Sequence, residues 1–181
     1  FEKKLWSLEV VNIRDYALDK HKTVDDTPFG GGSGMLMRAD VIANALDKNI
    51  SNTEEPIIYL SPKGKKFDQT QAKELLNKNI NIICGHFEGV DERLMETRNI
   101  QEVSIGDFIL SGGEIGAMTV IDAIVRLIPG VLGNLNSLKD ETFEKNLLEY
   151  PQYTKPQKWE KKAVPDVLLS GDHSKIKGWR L

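Results

Sequence analysis

The chain has 181 residues, of which 40% are hydrophobic and 28% are charged, and its formal net charge is −3. This length and composition predict one globular domain, or one domain with an appendage, that can bury a core. No run approaches the roughly 20 apolar residues of a membrane span, and no segment has the pattern of a signal peptide, so a cytoplasmic location is expected. A single cysteine, Cys84, excludes an internal disulfide framework, and three scattered histidines argue against a structural zinc site.

Apolar runs and helical patterns alternate through most of the chain. Strand patterns occupy residues 5–13, 56–60, 80–84, 101–105 and 108–110. Helical patterns occupy residues 38–47, 68–76, a segment ending near 97, and 117–127. Asp68 is predicted to cap the second helix. Asp172 is predicted to cap a short helix that follows a strand-like run at 164–173. The alternation of strand and helix predicts an α/β fold.

Three consecutive strands each end in a loop that contains glycine, at residues 61–64, 85–89 and 111–113. The carboxyl ends of parallel strands share one edge of an open sheet, and ligands bind at that edge. Because glycine lets bare backbone approach a small ligand, these loops predict a binding site there. Glu114 follows the third loop at a helix start, where exposed amides favour an anionic side chain. Ordinary turns between strands and helices are the plainer alternative.

Two further stretches have less specific patterns. Residues 28–35 carry four glycines directly before a helical pattern, and they form either a flexible linker or backbone that packs flat against a ligand or base. No GK[ST] sequence follows them, so they are not a Walker A loop.

Residues 151–181 carry seven basic and three acidic residues, which leaves a charge of −7 on the first 150 residues. This basic segment is either a phosphate-contacting surface or a solvated face.

Seven motifs occur in one order along nearly the whole chain. They are VDDxPFGGGxGMLM (24–37), IYLSPxG (58–64), CGxxEGxDER (84–93), SIGDFxLSGGE (104–114), RxIPGVLG (126–133), YPxYTxP (150–156) and VPxVLLSGxH (164–173). Together they resemble the bacterial tRNA (guanine-N1)-methyltransferases of the TrmD type. The resemblance also implies that an N-terminal strand–helix segment and most of a C-terminal helical domain are absent from this sequence.

The resemblance implies an α/β fold of the SPOUT class, in which a trefoil-knotted domain with a mostly parallel sheet and flanking helices works as a homodimer. It implies a knotted catalytic domain at 1–138, a flexible linker at 139–163 and the start of a truncated tRNA-binding helical domain at 164–181. S-adenosylmethionine is expected to lie bent in the knot loops, with Glu88 near its positive end or near the partner's loop. By motif, the predicted cofactor contacts are Tyr59, Leu60, Ser61, Pro62, Gly85, Glu88, Gly89, Ile105, Gly106, Asp107, Phe108, Ile109, Leu110, Gly112 and Gly113.

The activity that the resemblance implies is methyl transfer to N1 of the guanosine immediately 3′ of the tRNA anticodon. By resemblance, Arg126 faces O6 of that guanine, and an acidic residue fifteen positions later accepts the N1 proton. Family members usually have aspartate at that position, whereas this sequence has Glu141, preceded by Asp140. Glu141 is favoured as the base, and Asp140 is the alternative. The predicted substrate contacts are Gly31, Gly32 and Ser170.

Two other functions are compatible with parts of the pattern. One is a noncatalytic RNA-binding module that uses the basic C-terminal segment. The other is a dinucleotide-binding oxidoreductase, although no GxGxxG follows a strand with an acidic residue about twenty positions further on. Magnesium is expected for methyl transfer from the resemblance, but no cluster of carboxylates in the sequence indicates a metal site.

Overall fold

The computed structural model describes residues 4–132 and 150–180. The chain divides into two compact units, Phe1–Leu135 and Asn136–Leu181. In the described part of the first unit, the elements are the 3₁₀ helix Ile13–Tyr16, β1 (Asp25–Asp26), β2 (Leu36–Met37), α1 (Ala39–Asn49), β3 (Ile57–Lys66), α2 (Gln69–Leu75), β4 (Asn81–Ile83), α3 (Glu92–Thr97), β5 (Ile100–Ser104) and α4 (Glu114–Val125).

A three-stranded parallel sheet forms the centre of the first unit, with strand order β4-β3-β5. This confirms the predicted α/β fold with a parallel sheet. The pairing of β3 with β5 is interrupted between Leu60 and Lys65, both of which lie opposite Val103. The chain therefore leaves the ladder at residues 61–64, which is where the sequence predicts a glycine-containing loop.

Both faces of the sheet are covered at its central strand β3, which explains why residues 57–60 of that strand form a continuous apolar run. On one face, Ile57 and Tyr59 pack against a buried cluster that includes Ile42 of α1 and Leu94 of α3. Successive strand residues point to opposite faces, so Ile58, which is fully buried, faces the other side. There α2 packs against α4, and α4 approaches the sheet so closely that a Cβ at Gly116 would lie 3.1 Å from Leu60 Cδ1.

Two predicted helix caps are confirmed. The carboxylate of Asp68 accepts a hydrogen bond from the Gln71 amide at 2.9 Å and begins α2. Asp172 accepts hydrogen bonds from the amides of Ser174 and Lys175, each at 3.1 Å. Helix α4 begins at Glu114, three residues before its predicted start. Its first turn carries exposed side chains and so lacks the apolar period that marks the remainder of the helix.

Three strand predictions are wrong. Residues 5–12 join no ladder within the described residues, and the segment continues into the 3₁₀ helix, where Asn12 caps the Arg14 amide. A strand needs a partner for its backbone, and side-chain pattern alone does not supply one. Residues 108–110 form a loop, and their apolar side chains are exposed at the surface rather than packed in the sheet core. The run at 164–173 contains a helical turn, Asp166–Leu169, because Pro165 directly precedes its first residue.

The described part of the second unit contains a small hairpin, β6 (Lys158–Trp159) with β7 (Lys162–Ala163), and two short helices, α5 (Asp166–Leu169) and α6 (His173–Trp179). The hairpin lies in the segment 139–163 that the resemblance implies to be a flexible linker, of which residues 139–149 lie outside the described residues. No helix in the described ranges has the length and apolar character needed to cross a bilayer.

Candidate functional site

One cavity of about 260 Å³ lies at the carboxyl edge of the sheet, surrounded by the break within β3 at residues 61–64 and by the loops that follow β4 and β5. This confirms that the three glycine-containing loops converge. Every predicted cofactor contact lines the cavity except Asp107, which belongs to the same loop but not to the lining. The lining also contains residues that the sequence did not single out, namely His86, Phe87, Val103, Ser104, Ser111 and Gly116.

Two buried serines hold the loops of this pocket in place. Ser61, at the point where β3 leaves the ladder, accepts a hydrogen bond from the Lys63 amide at 3.2 Å. Ser104, the last residue of β5, donates from its hydroxyl to the Gly106 carbonyl at 3.1 Å and accepts from the Gly106 amide at 3.3 Å. Each serine hydroxyl thus bonds to the backbone two residues further along the chain. These hydrogen bonds hold the turns that form part of the pocket wall.

Tyr59 forms the floor of the pocket under the second loop. A Cβ at Gly85 would lie 2.7 Å from Cε2 of the Tyr59 ring, so the ring packs directly on the glycine backbone. Burial raises the pKa of the Tyr59 phenol, and the charges of Glu102 and Glu92 raise it further. The phenol therefore stays neutral near pH 7 and offers the pocket an aromatic face and a hydroxyl.

Gly113 lets the start of α4 cross the end of β4 at close range. Its amide donates to the Gly85 carbonyl at 2.9 Å. A Cβ at this position would lie 2.7 Å from Cys84 Cα and 2.9 Å from the Gly85 amide nitrogen. Both neighbours are backbone atoms, which cannot rotate away as a flexible side chain can. The glycine is therefore required by the close approach of two loops that line the pocket.

Replacing Gly113 with alanine is expected to destabilise the protein by about 1–3 kcal/mol, the usual cost of overpacking a fixed contact. Urea unfolding followed by circular dichroism measures this change as a lower midpoint. Gly178→Ala in α6 is the control, since a Cβ there meets nothing within 4 Å and alanine favours a helix. Equal midpoints for Gly113→Ala and the unchanged protein would contradict the proposed backbone contact.

The charges around the pocket do not suit a phosphate. Within the described residues, the lining includes the carboxylate of Glu88 but no lysine or arginine. The N-terminal turn of α4, where an anion is favoured, already carries Glu114. A hydrogen bond with His86 lowers the pKa of the Glu114 carboxyl, which therefore stays ionised. Such a pocket suits a neutral or cationic organic ligand.

The predicted substrate loop lies against this pocket. A Cβ at Gly34 would lie 2.5 Å from Glu88 Cγ, and Gly34 has a φ of +93°, so only glycine is accommodated well. The Glu88 amide donates to the Met35 carbonyl at 3.0 Å. Gly31 and Gly32, two of the three predicted substrate contacts, lie in the same loop and are exposed. A molecule held by this loop would therefore be close to the ligand of the pocket.

Four predicted site residues remain, and of these Arg126, in the same unit as the pocket, is not part of its lining. Arg126 lies at the C-terminal end of α4, thirteen residues after Gly113, which is roughly 20 Å along a helix. Ser170 belongs to the second unit, where its hydroxyl donates to the Val167 carbonyl at 2.7 Å. Glu141 and Asp140, the two candidate bases, lie outside the described residues.

The described residues offer no assembled metal site. In residues 4–132 and 150–180, no group of three or more histidine, cysteine, aspartate or glutamate side chains is arranged to hold an ion. None of the described residues is therefore assigned to the magnesium that the resemblance implies.

The fold and the pocket define an α/β protein with a cavity suited to a small organic ligand, lined by glycine-containing loops at one edge of a parallel sheet. The chain belongs to the family described as tRNA (Guanine-1)-methyltransferase TrmD, whose profile matches residues 1–181. It is 68% identical over 179 residues to a tRNA (guanine-N(1)-)-methyltransferase of Pelagibacter ubique, covering 98% of this chain and 78% of the relative. A relative with the same name in Bartonella tribocorum is 56% identical, and the match covers 99% of this chain and 77% of the relative. Another in Wolbachia pipientis subsp. Culex pipiens is 54% identical, and the match covers 99% of this chain and 79% of the relative.

Proposed function

We propose that this chain is a cytoplasmic methyltransferase that uses S-adenosylmethionine to methylate N1 of the guanosine immediately 3′ of the tRNA anticodon. The observation that carries the proposal is the convergence of three glycine-containing loops on one pocket in a chain of this family. The oxidoreductase alternative loses its support, because the family is described as a methyltransferase family and the described residues of the lining include no lysine or arginine, the side chains that phosphates prefer.

The chemistry of the pocket fits S-adenosylmethionine. Its apolar lining, which includes Leu60, Ile105 and Leu110, offers a slot for an adenine ring. Loop backbone at the glycines offers amide and carbonyl groups at close range. Glu88 is the carboxylate that would face the positive end of the ligand. When bound, the cofactor supplies a methyl group on a sulfonium sulfur, which is a good leaving group.

Methyl transfer to N1 of guanine also requires a group that accepts a proton and a group that stabilises negative charge. N1 carries a proton that has to be removed, and negative charge spreads onto O6 as that proton leaves. Glu141, or Asp140 in its place, is proposed to accept the proton, and the guanidinium of Arg126 is proposed to stabilise O6. The Gly31–Gly32 backbone would hold the base, which leaves its stack to reach the pocket.

A homodimer is proposed to complete the site. Ile115 and Met118 are exposed on one face of α4, with side chains 63% and 68% accessible, and an apolar face of this kind favours a second copy. Met118 is near the middle of the helix, so a two-fold axis there would pack two copies of α4 antiparallel. That packing brings Arg126 of the second copy beside the pocket of the first, which accounts for its distance from the pocket within one chain.

The knotted topology of the SPOUT class is proposed from family membership. The interruption of the β3–β5 pairing at residues 61–64 is compatible with it, because the loop there leaves the sheet and contributes to the pocket wall. A knot would hold the three pocket loops together without a disulfide, in agreement with the single cysteine of the chain.

The second unit is proposed to contact tRNA. Residues 150–180 carry seven basic and three acidic side chains. Trp159 is 66% exposed on the β6–β7 hairpin, directly opposite Lys162. Cross-strand partners share one face of a hairpin, so the indole and the ammonium group point to the same side. An exposed aromatic ring beside a cation is the combination that stacks on an unpaired base and contacts its phosphate.

Trp159→Ala is expected to weaken tRNA binding by about 1–3 kcal/mol, the usual contribution of stacking on one base. Electrophoretic mobility shift with a tRNA transcript measures the dissociation constant. Trp159→Phe keeps an aromatic face and should retain most of the affinity. Unchanged binding by Trp159→Ala, with tRNA binding intact in the parent chain, would remove the hairpin from the substrate surface.

Titration calorimetry tests the proposed function most simply. We expect S-adenosylmethionine to bind and NADH not to bind. RNA binding without cofactor binding would favour the noncatalytic RNA-binding module instead.

A further inference from the structure

His86 and Glu114 make a side-chain contact across the rim of the pocket. His86 Nε2 lies 2.6 Å from Glu114 Oε1, although the residues are 28 positions apart in the chain. His86 belongs to the loop after β4, whereas Glu114 begins α4 after the loop that ends at Gly113. The contact therefore connects two of the three loops that line the pocket.

Backbone contacts place the two loops close together beneath this pair. His86 and Gly112 form an isolated antiparallel bridge. A Cβ at Gly112 would lie 2.6 Å from Glu114 Oε2 and 3.0 Å from His86 Cε1, so both side chains pack over this glycine. The next residue, Phe87, has a φ of +58°, a conformation that costs free energy for a residue with a side chain. A strained loop needs such contacts to keep its shape.

We propose that His86 is a positioning residue, whose imidazole bonds to Glu114 and so keeps the pocket rim closed around the cofactor. The inference rests on the proposed function, because it concerns the same pocket. Without this side-chain contact the two loops are joined less firmly at the rim, and the affinity for the cofactor falls.

The hydrogen bond with His86 lowers the pKa of the Glu114 carboxyl, so this carboxylate is ionised at neutral pH. An ionised acceptor makes the hydrogen bond stronger than one between neutral groups. Glu88, the carboxylate of the lining, packs against Gly34 instead and takes no part in this contact.

The test is the dissociation constant of S-adenosylmethionine, measured by calorimetry at a single pH. His86→Ala and Glu114→Ala should each bind the cofactor about three- to tenfold more weakly than the parent chain, the usual worth of one hydrogen bond. The double variant should bind no more weakly than either single variant, because both changes remove the same contact. His21→Ala, which changes an exposed histidine outside the lining, is the matched control and should keep the parent affinity.

Steady-state kinetics provides the second measurement. His86→Ala should raise KM for the cofactor and leave kcat nearly unchanged, because the pair shapes the pocket and does not touch the reacting atoms. Parent affinity for the cofactor in both His86→Ala and Glu114→Ala would overturn the inference, while cofactor binding itself upholds the proposed function. Failure of the parent chain to bind S-adenosylmethionine would overturn both.

Discussion

Glu141→Gln is expected to lower the single-turnover rate of methyl transfer by about 10²–10⁴-fold, because the amide cannot accept the N1 proton of guanine. Glutamine keeps the length and shape of the side chain, so the affinities for S-adenosylmethionine and tRNA should change little. Rapid-quench measurement with saturating enzyme isolates the chemical step from binding and release.

Asp140→Asn is the matched control for that experiment, since it makes the same chemical change one residue earlier. It should reduce the rate only slightly. Loss of transfer in Asp140→Asn with an active Glu141→Gln would assign the base to Asp140 instead.

Met118→Glu is expected to convert the protein to a monomer and to lower methyl transfer by about 10²–10³-fold. A charge at the centre of the exposed α4 face prevents burial of that face, and the pocket then lacks the guanidinium of Arg126 from the second copy. Sedimentation velocity measures the oligomeric state and single-turnover kinetics the rate. Leu18→Glu, which charges an exposed apolar side chain away from α4, should leave both unchanged. A Met118→Glu monomer with full activity would contradict the shared site.

A mixing experiment separates a shared site from a general effect of dimerisation. Arg126→Ala and Glu88→Ala should each be weakly active alone. Together they should form mixed dimers in which one pocket is intact and receives Arg126 from the other copy. Recovery of activity on mixing is therefore expected, whereas no recovery would mean that Arg126 acts on the pocket of its own chain.

The central sheet and the position of the pocket follow from the sequence because their signals are local. Short apolar runs that end in glycine, each followed by a helical pattern, require parallel strands whose loops meet at one edge. The caps Asp68 and Asp172 are recognisable for the same reason, since a cap bonds amides within three residues. What these signals cannot supply is the partner of a strand. Residues 5–13 have a strand pattern, yet residues 5–12 pair with nothing in the described structure.

The parts of the site that sequence reasoning missed depend on contacts between distant residues. His86 and Glu114 are 28 positions apart, and no pattern in either segment indicates that their side chains meet. The sequence offers one indirect signal, since each of the two residues directly follows a glycine of a loop that is predicted to reach the same edge of the sheet. Residues 108–110 show a related difficulty. Their apolar side chains resemble a strand but are exposed around the pocket, because a surface that binds a ligand or a second copy also needs apolar residues.

Mapping the methyl group that this chain transfers tests the account most directly. The protein is incubated with methyl-labelled S-adenosylmethionine and a tRNA transcript that has guanosine immediately 3′ of the anticodon, and the product is digested and analysed by mass spectrometry. We predict one labelled methyl group on N1 of that guanosine, and no label in a transcript with adenosine there. Label at another atom or nucleotide, or cofactor binding without any methyl transfer, would contradict the account.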